Sequence, residues 1–178
     1  VHVSVEAGPM KLGRFPEGLD EPVTKLAGLI RSAGMNVETS ATIRSELWGK
    51  TLYNCALNPL GAVMNVPYGR LTHPAAWQII EQLVTEAFAV VAAEGVRLPW
   101  KDAHEYLAYL YDDQLPATSR HHSSMLQDLT RGRPTEIRFI NGAVVQKGRE
   151  HNIPTPYNAM MVNLIQFRES LNATGGAS

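Results

Sequence analysis

With one cysteine in 178 residues, the chain has no partner thiol for an internal disulfide framework. That residue, Cys55, sits in an apolar run and reads as a small core side chain, which suits a cytoplasmic protein. There is no Lys/Arg block either: 16 basic residues stand against 17 acidic ones, and the densest basic spot is the turn-like Arg131-Gly132-Arg133. No nucleic-acid partner is expected, since nothing supplies the phosphate-neutralising footprint such binding needs. No uninterrupted apolar run approaches the roughly 20 residues of a membrane span, and VHVSVEAG lacks the regions of a signal peptide, so no membrane partner is expected. No spacing fits a zinc or EF-hand site; the adjacent His121 and His122 need not share a centre, and no metal is expected.

What is present is a core-forming composition. Hydrophobic residues make up 44% and charged ones 19%, and a chain of this length buries roughly 70% of its unfolded surface. Residues 1–40 read as a piece of an α/β layer. HVSVEAG alternates as a strand, MKLGRF is a second candidate, and NVETS a third. Between them Val23, Leu26, Ala27 and Ile30 mark a helix over 20–33 that Gly34 stops. From about Ile43 the pattern is helical throughout. Candidate helices cover 43–64, with Pro59 predicting a kink or break near Asn58, then 74–95, 101–112, 122–131, 136–149 and 155–171. The expected fold is mainly α: a multi-helical domain over 41–172, preceded by an α/β remnant over 1–40 and followed by a disordered tail, 173–178.

Within the run WGKTLYNCALNP, Lys50, Asn54 and Asn58 recur every fourth residue, so on a helix they share one face and span roughly 12 Å. Each alone fits a surface position. The other faces, however, carry Leu47, Trp48, Leu52, Tyr53, Leu57 and Leu60, and a helix buried on most sides with one polar stripe lines a cleft. An ammonium flanked by amides can polarise a carbonyl and protonate the alkoxide that forms. Ser124 and Gln127 have capping-box spacing, which fits a helix N-cap as well as carboxylate binding. Glu136, after Pro134 and Thr135, fits a first-turn acid.

IRSELWGKTLYNCALNPLGAVMN followed by SSMLQDLTRGRPTEIRFINGAVVQKGREHNIPTPYN resembles the C-terminal helical domain of the ketopantoate reductases, or 2-dehydropantoate 2-reductases. The resemblance extends over nearly all of residues 1–171. It implies a body of the 6-phosphogluconate-dehydrogenase-like type, with residues 1–40 as the end of an NADP-binding Rossmann domain. The family's GxGxxG fingerprint is absent, so this chain, which starts at Val1, is expected to be part of a longer product and inactive alone.

The activity implied is NADPH-dependent reduction of 2-dehydropantoate to pantoate, in pantothenate and coenzyme A biosynthesis. By the same resemblance Lys50 is the proton donor, Asn54, Asn58, Ser124 and Gln127 bind substrate, and Glu136 contacts the cofactor. Tyr68 stands where several members carry a further substrate-contacting Asn, which leaves open another small 2-keto acid. A helical dimerisation module without activity of its own, or a homodimer formed through the helical domain, is the other reading.

Overall fold

A computed structural model describes residues 8–174. They divide into two compact units, Val1–Gly49 and Lys50–Ser178, with the division falling inside one helix; each unit is described by itself. The expected strand over HVSVEAG lies almost wholly outside the described residues.

In the first unit, strands β1 (Met10–Leu12) and β2 (Val37–Thr39) pair in parallel, joined by helix α1 (Glu21–Ser32). Asp20 begins α1 by accepting from the Val23 amide at 3.0 Å, and Gly34, at φ +83°, ends it. The register sets Lys11 opposite Glu38, and their side chains meet at 2.6 Å. Gly13 permits the close passage of the chain after β1: a Cβ there would lie 2.2 Å from the Ser40 carbonyl oxygen. MKLGRF and NVETS, the second and third strand candidates, each contain a short strand.

The second unit is helical. Helix α2 (Ile43–Met64) leads by way of a 3₁₀ turn, Tyr68–Thr72, to α3 (Pro74–Ala93). Next come α4 (Ala103–Tyr109), a π turn over Leu110–Gln114 and α5 (Leu115–Thr118), which continue one another. The wide turn has a local cause. Pro116 has no N–H and its ring would strike the carbonyl four residues back, and the Leu115 amide instead reaches the Leu110 carbonyl. Helices α6 (Ser124–Thr130), α7 (Asn141–Glu150) and α8 (Pro156–Thr174) complete the unit. Leu52, Leu57, Ile80, Leu83, Leu110, Met125, Ile137, Met161 and Ile165 form its core.

Three sequence expectations change. No break occurs in α2, which runs through Pro59. The helix expected over 136–149 begins only at Asn141, because Ile140 (φ −101°, ψ −91°) leaves helical geometry after a separate turn over 136–140. At the C-terminus the last helix extends to Thr174 rather than ending near Leu171, so the first two residues of the expected tail 173–178 are helical and the rest lie outside the described residues.

Among the described residues α3 is long and apolar enough, by length and composition, to cross a membrane, which qualifies the reading from sequence that no segment approaches that length. Its apolar face nonetheless packs inside this unit, with Ile80, Leu83, Val84, Ala87, Val90 and Val91 buried. Its Glu86 is buried too, accepting from amides of α8.

Candidate active site

Because α2 is continuous, Lys50, Asn54 and Asn58 lie along one face one turn apart, as their spacing predicts. Their burial is graded: Lys50 is exposed, Asn54 half-buried and Asn58 buried. The stripe thus runs from solvent into the body of the domain.

At its inner end Asn58 is gripped. The hydroxyl of buried Tyr68 donates to Asn58 Oδ1, so the remaining face of the amide is its Nδ2 donor pair. Burial raises the Tyr68 hydroxyl far above the ordinary tyrosine range, so it remains protonated and able to donate. Tyr68 is itself fixed on three sides. Its amide donates to the His121 carbonyl at 3.0 Å, its ring lies 5.3 Å from the His121 ring, and Tyr53 meets it edge-on at 6.0 Å. Gly69 completes the seam, donating to the Ser119 carbonyl at 2.9 Å; a Cβ on Gly69 would sit 2.9 Å from that same oxygen. Tyr53, one residue before Asn54, donates to Thr118 Oγ1 at 2.9 Å.

The segment 118–121 that holds Tyr68 leads directly into α6. The residue that caps α6 is Ser123, buried and accepting from the Leu126 amide at 3.0 Å, and not Ser124 as the capping-box spacing predicts. Ser124 occupies the first helical position and is exposed, as is Gln127 one turn on. Glu136 is exposed and opens the separate turn, where its carbonyl accepts from Phe139 and Ile140. The structure therefore gathers Asn58, Tyr68, Tyr53, Thr118, Ser119 and His121 into one bonded cluster, while Lys50, Ser124, Gln127 and Glu136 present side chains to solvent.

Cys55 is fully buried, and burial pushes its thiol up to about 12. It stays neutral at physiological pH and is no nucleophile. No group of three or more His, Cys, Asp or Glu among the described residues could hold a metal ion.

A second polar cluster lies behind the stripe and was not singled out from sequence. Asn141 Nδ2 donates to the Cys55 carbonyl (3.1 Å) and to Asn158 Oδ1 (3.0 Å). Asn158 Nδ2 donates to the Leu83 carbonyl and to Glu86 Oε2. Glu86 also accepts from the amides of Tyr157 (2.8 Å) and Asn158 (2.9 Å) at the start of α8. The available signal was polar residues inside apolar patterns, INGAVV, PYNAMMV and LVTEAFAVV.

Comparison with known proteins gives this arrangement a lineage. Residues 42–169 match the family described as ketopantoate reductase PanE/ApbA C terminal. The chain belongs to this family. A 2-dehydropantoate 2-reductase of Aquifex aeolicus is 34% identical over 97% of the chain and 56% of its own length. A solved PanE/ApbA family ketopantoate reductase of Ralstonia eutropha JMP134 superposes with a TM-score of 0.80 at 33% identity, covering 94% of this chain and 54% of that one. A D-mandelate dehydrogenase solved with NADH and anilino(oxo)acetate is also similar, with a TM-score of 0.79 at 28% identity over 92% of this chain and 67% of the other. The chain thus spans about half the length of the ketopantoate reductases it matches, and the mainly helical architecture is that of their C-terminal domain.

Proposed function

We propose that this chain forms the substrate-binding half of an NADPH-dependent reductase that converts 2-dehydropantoate to pantoate. The observation that carries the reading is the uninterrupted helix presenting Lys50, Asn54 and Asn58 on one face, graded from solvent to interior. Residues 41–172 are the helical substrate domain and residues 1–40 the end of a nucleotide-binding domain; a cytoplasmic setting fits the single buried thiol.

When bound, a nicotinamide cofactor would supply the hydride for the C2 ketone carbon. Lys50 donates a hydrogen bond to the ketone oxygen, stabilises the negative charge developing there, and passes its proton to form the hydroxyl. Asn54 and Asn58 hold the oxygen-bearing face of the keto acid. With Asn58 Oδ1 taken by Tyr68, its Nδ2 is the donor that meets a substrate oxygen. Ser124 and Gln127, exposed at the first turn of α6, supply hydroxyl and amide donors to the carboxylate. Glu136 is an acceptor and fits hydroxyl or carboxamide hydrogens of the cofactor, not its phosphates.

The test is a full-length protein carrying this chain, assayed with NADPH and NADH against a panel of 2-keto acids, beside the 178 residues alone. Turnover of 2-dehydropantoate with NADPH is expected from the former and none from the latter. Turnover by the short chain would show that the catalytic apparatus is complete within it.

Tyr68 favours a second substrate reading, another small 2-keto acid, because a buried aromatic ring at the inner end of the stripe reshapes the space beside Asn58. The similarity to a D-mandelate dehydrogenase bound to anilino(oxo)acetate points the same way, and the same panel decides between them.

A homodimer, the basis of the dimerisation-module reading, is favoured by α8, where Tyr157, Met160, Leu164, Phe167 and Leu171 alternate at spacings of three and four and are all exposed. Phe167→Glu should convert a dimer to a monomer in light scattering. A wild-type protein that is already monomeric at micromolar concentration rules this reading out.

A further inference from the structure

In a regular α-helix the amide of residue 59 would donate to the carbonyl of Cys55, but Pro59 has no amide hydrogen. Helix α2 nevertheless continues for five residues beyond it. The Cys55 carbonyl belongs to a fully buried residue, in surroundings where an unpaired acceptor is costly. Asn141, from α7, donates to that oxygen at 3.1 Å.

We propose that Asn141, anchored by Asn158 and Glu86, replaces the helix hydrogen bond that Pro59 removes and thereby fixes Asn54 and Asn58 relative to each other; it is a positioning residue for substrate. The proposal rests on the keto acid reading of those two amides.

The orientations along the network are forced. Asn158 must turn its Nδ2 toward the Leu83 carbonyl and the Glu86 carboxylate, since both are acceptors. That leaves its Oδ1 facing Asn141, which must answer with Nδ2. The same Nδ2 carries its second hydrogen to Cys55. Asn141 Oδ1 is buried without a hydrogen-bond partner, so the network uses this residue for its donors alone. Glu86 closes the series, its carboxylate taking two backbone amides of α8 as well as the Asn158 side chain. The deleted bond is the one that would tie the turn bearing Asn54 to the turn bearing Asn58. With it gone, the angle between those turns depends on an external donor.

The test is a double-mutant cycle in the full-length protein with Asn141→Leu, Pro59→Ala and the pair. Alanine at 59 restores the helix's own donor to Cys55, which makes the Asn141 bond redundant. Asn141→Leu alone should raise KM for the keto acid about tenfold, leave nicotinamide affinity within about twofold, and speed amide exchange over residues 56–63. In the Pro59→Ala background most of each effect should disappear. An equal cost in both backgrounds, or a nicotinamide affinity that falls as far as KM rises, would overturn the proposal. Should Asn141→Leu not fold alone, recovery of folding with Pro59→Ala is the same rescue, and failure in both backgrounds is refutation. Wild-type protein inactive on every 2-keto acid would sink the reading of substrate, while the exchange readout, which needs no substrate, still decides the helix device.

Discussion

Lys50→Ala in a full-length reductase carrying this chain should lower kcat by roughly two to four orders of magnitude, with nicotinamide affinity nearly unchanged. The size follows from what the residue is asked to do. Hydride addition to a ketone builds a full negative charge on oxygen, and an ammonium at that oxygen supplies both the countercharge and the proton. Lys50 is exposed at the outer end of the stripe, and on the proposed reading it meets the carbonyl of a substrate held by Asn54 and Asn58. Ground-state binding, left largely to the amides, should change far less than kcat, so the loss falls on the transition state. Lys50→Arg keeps the charge but not the compact donor and should recover only a small part. Steady-state kinetics with a fluorescence titration of NADPH check this. Turnover within threefold of wild type would remove Lys50 from the chemistry.

The second large effect is on stability. Glu86→Leu should destabilise the fold by about 3–5 kcal/mol, which for a protein of this size lowers Tm by roughly 10 °C. The replacement leaves the Tyr157 and Asn158 amides, and the Asn158 Nδ2 hydrogen that meets Glu86, without their acceptor in the first turn of α8, where Asn158 is fully buried. It also removes a carboxylate from the positive end of a 19-residue helix. Thermal melts followed by circular dichroism read it directly. An unchanged Tm would mean that those amides find other acceptors at little cost.

Local signals in the sequence located what local physics decides. Asp20, Pro74 and Gly34 mark helix ends because capping and left-handed geometry are properties of neighbouring residues. The i, i+4, i+8 spacing of the stripe holds because α2 is one helix. Where the outcome depends on a distant partner, the reading from sequence fails for a definite reason. Pro59 predicts a kink or a break near Asn58, and no break occurs: the Cys55 carbonyl it strands is met by a side chain 86 positions away. Two serines compete to cap α6, and the Ser124–Gln127 spacing favours the wrong one, since Ser123 is the residue that accepts from Leu126. The hydroxyl that grips Asn58 comes from Tyr68, and Tyr68 owes its position to His121 and Ser119 across the fold. Spacing could place the polar stripe of Lys50, Asn54 and Asn58 on one helix face, whereas the partners that fix Asn58 could not be read from it.

Glu86 has one more consequence, and it concerns the chain before it folds. By length and composition alone, the Pro74–Ala93 segment matches what a membrane span needs. An acidic side chain near the middle of such a segment raises the cost of partitioning into lipid by a few kcal/mol. The carboxylate that accepts from the first turn of α8 is therefore also the group that makes this segment costlier to place in lipid, and replacing it with leucine would remove both effects at once.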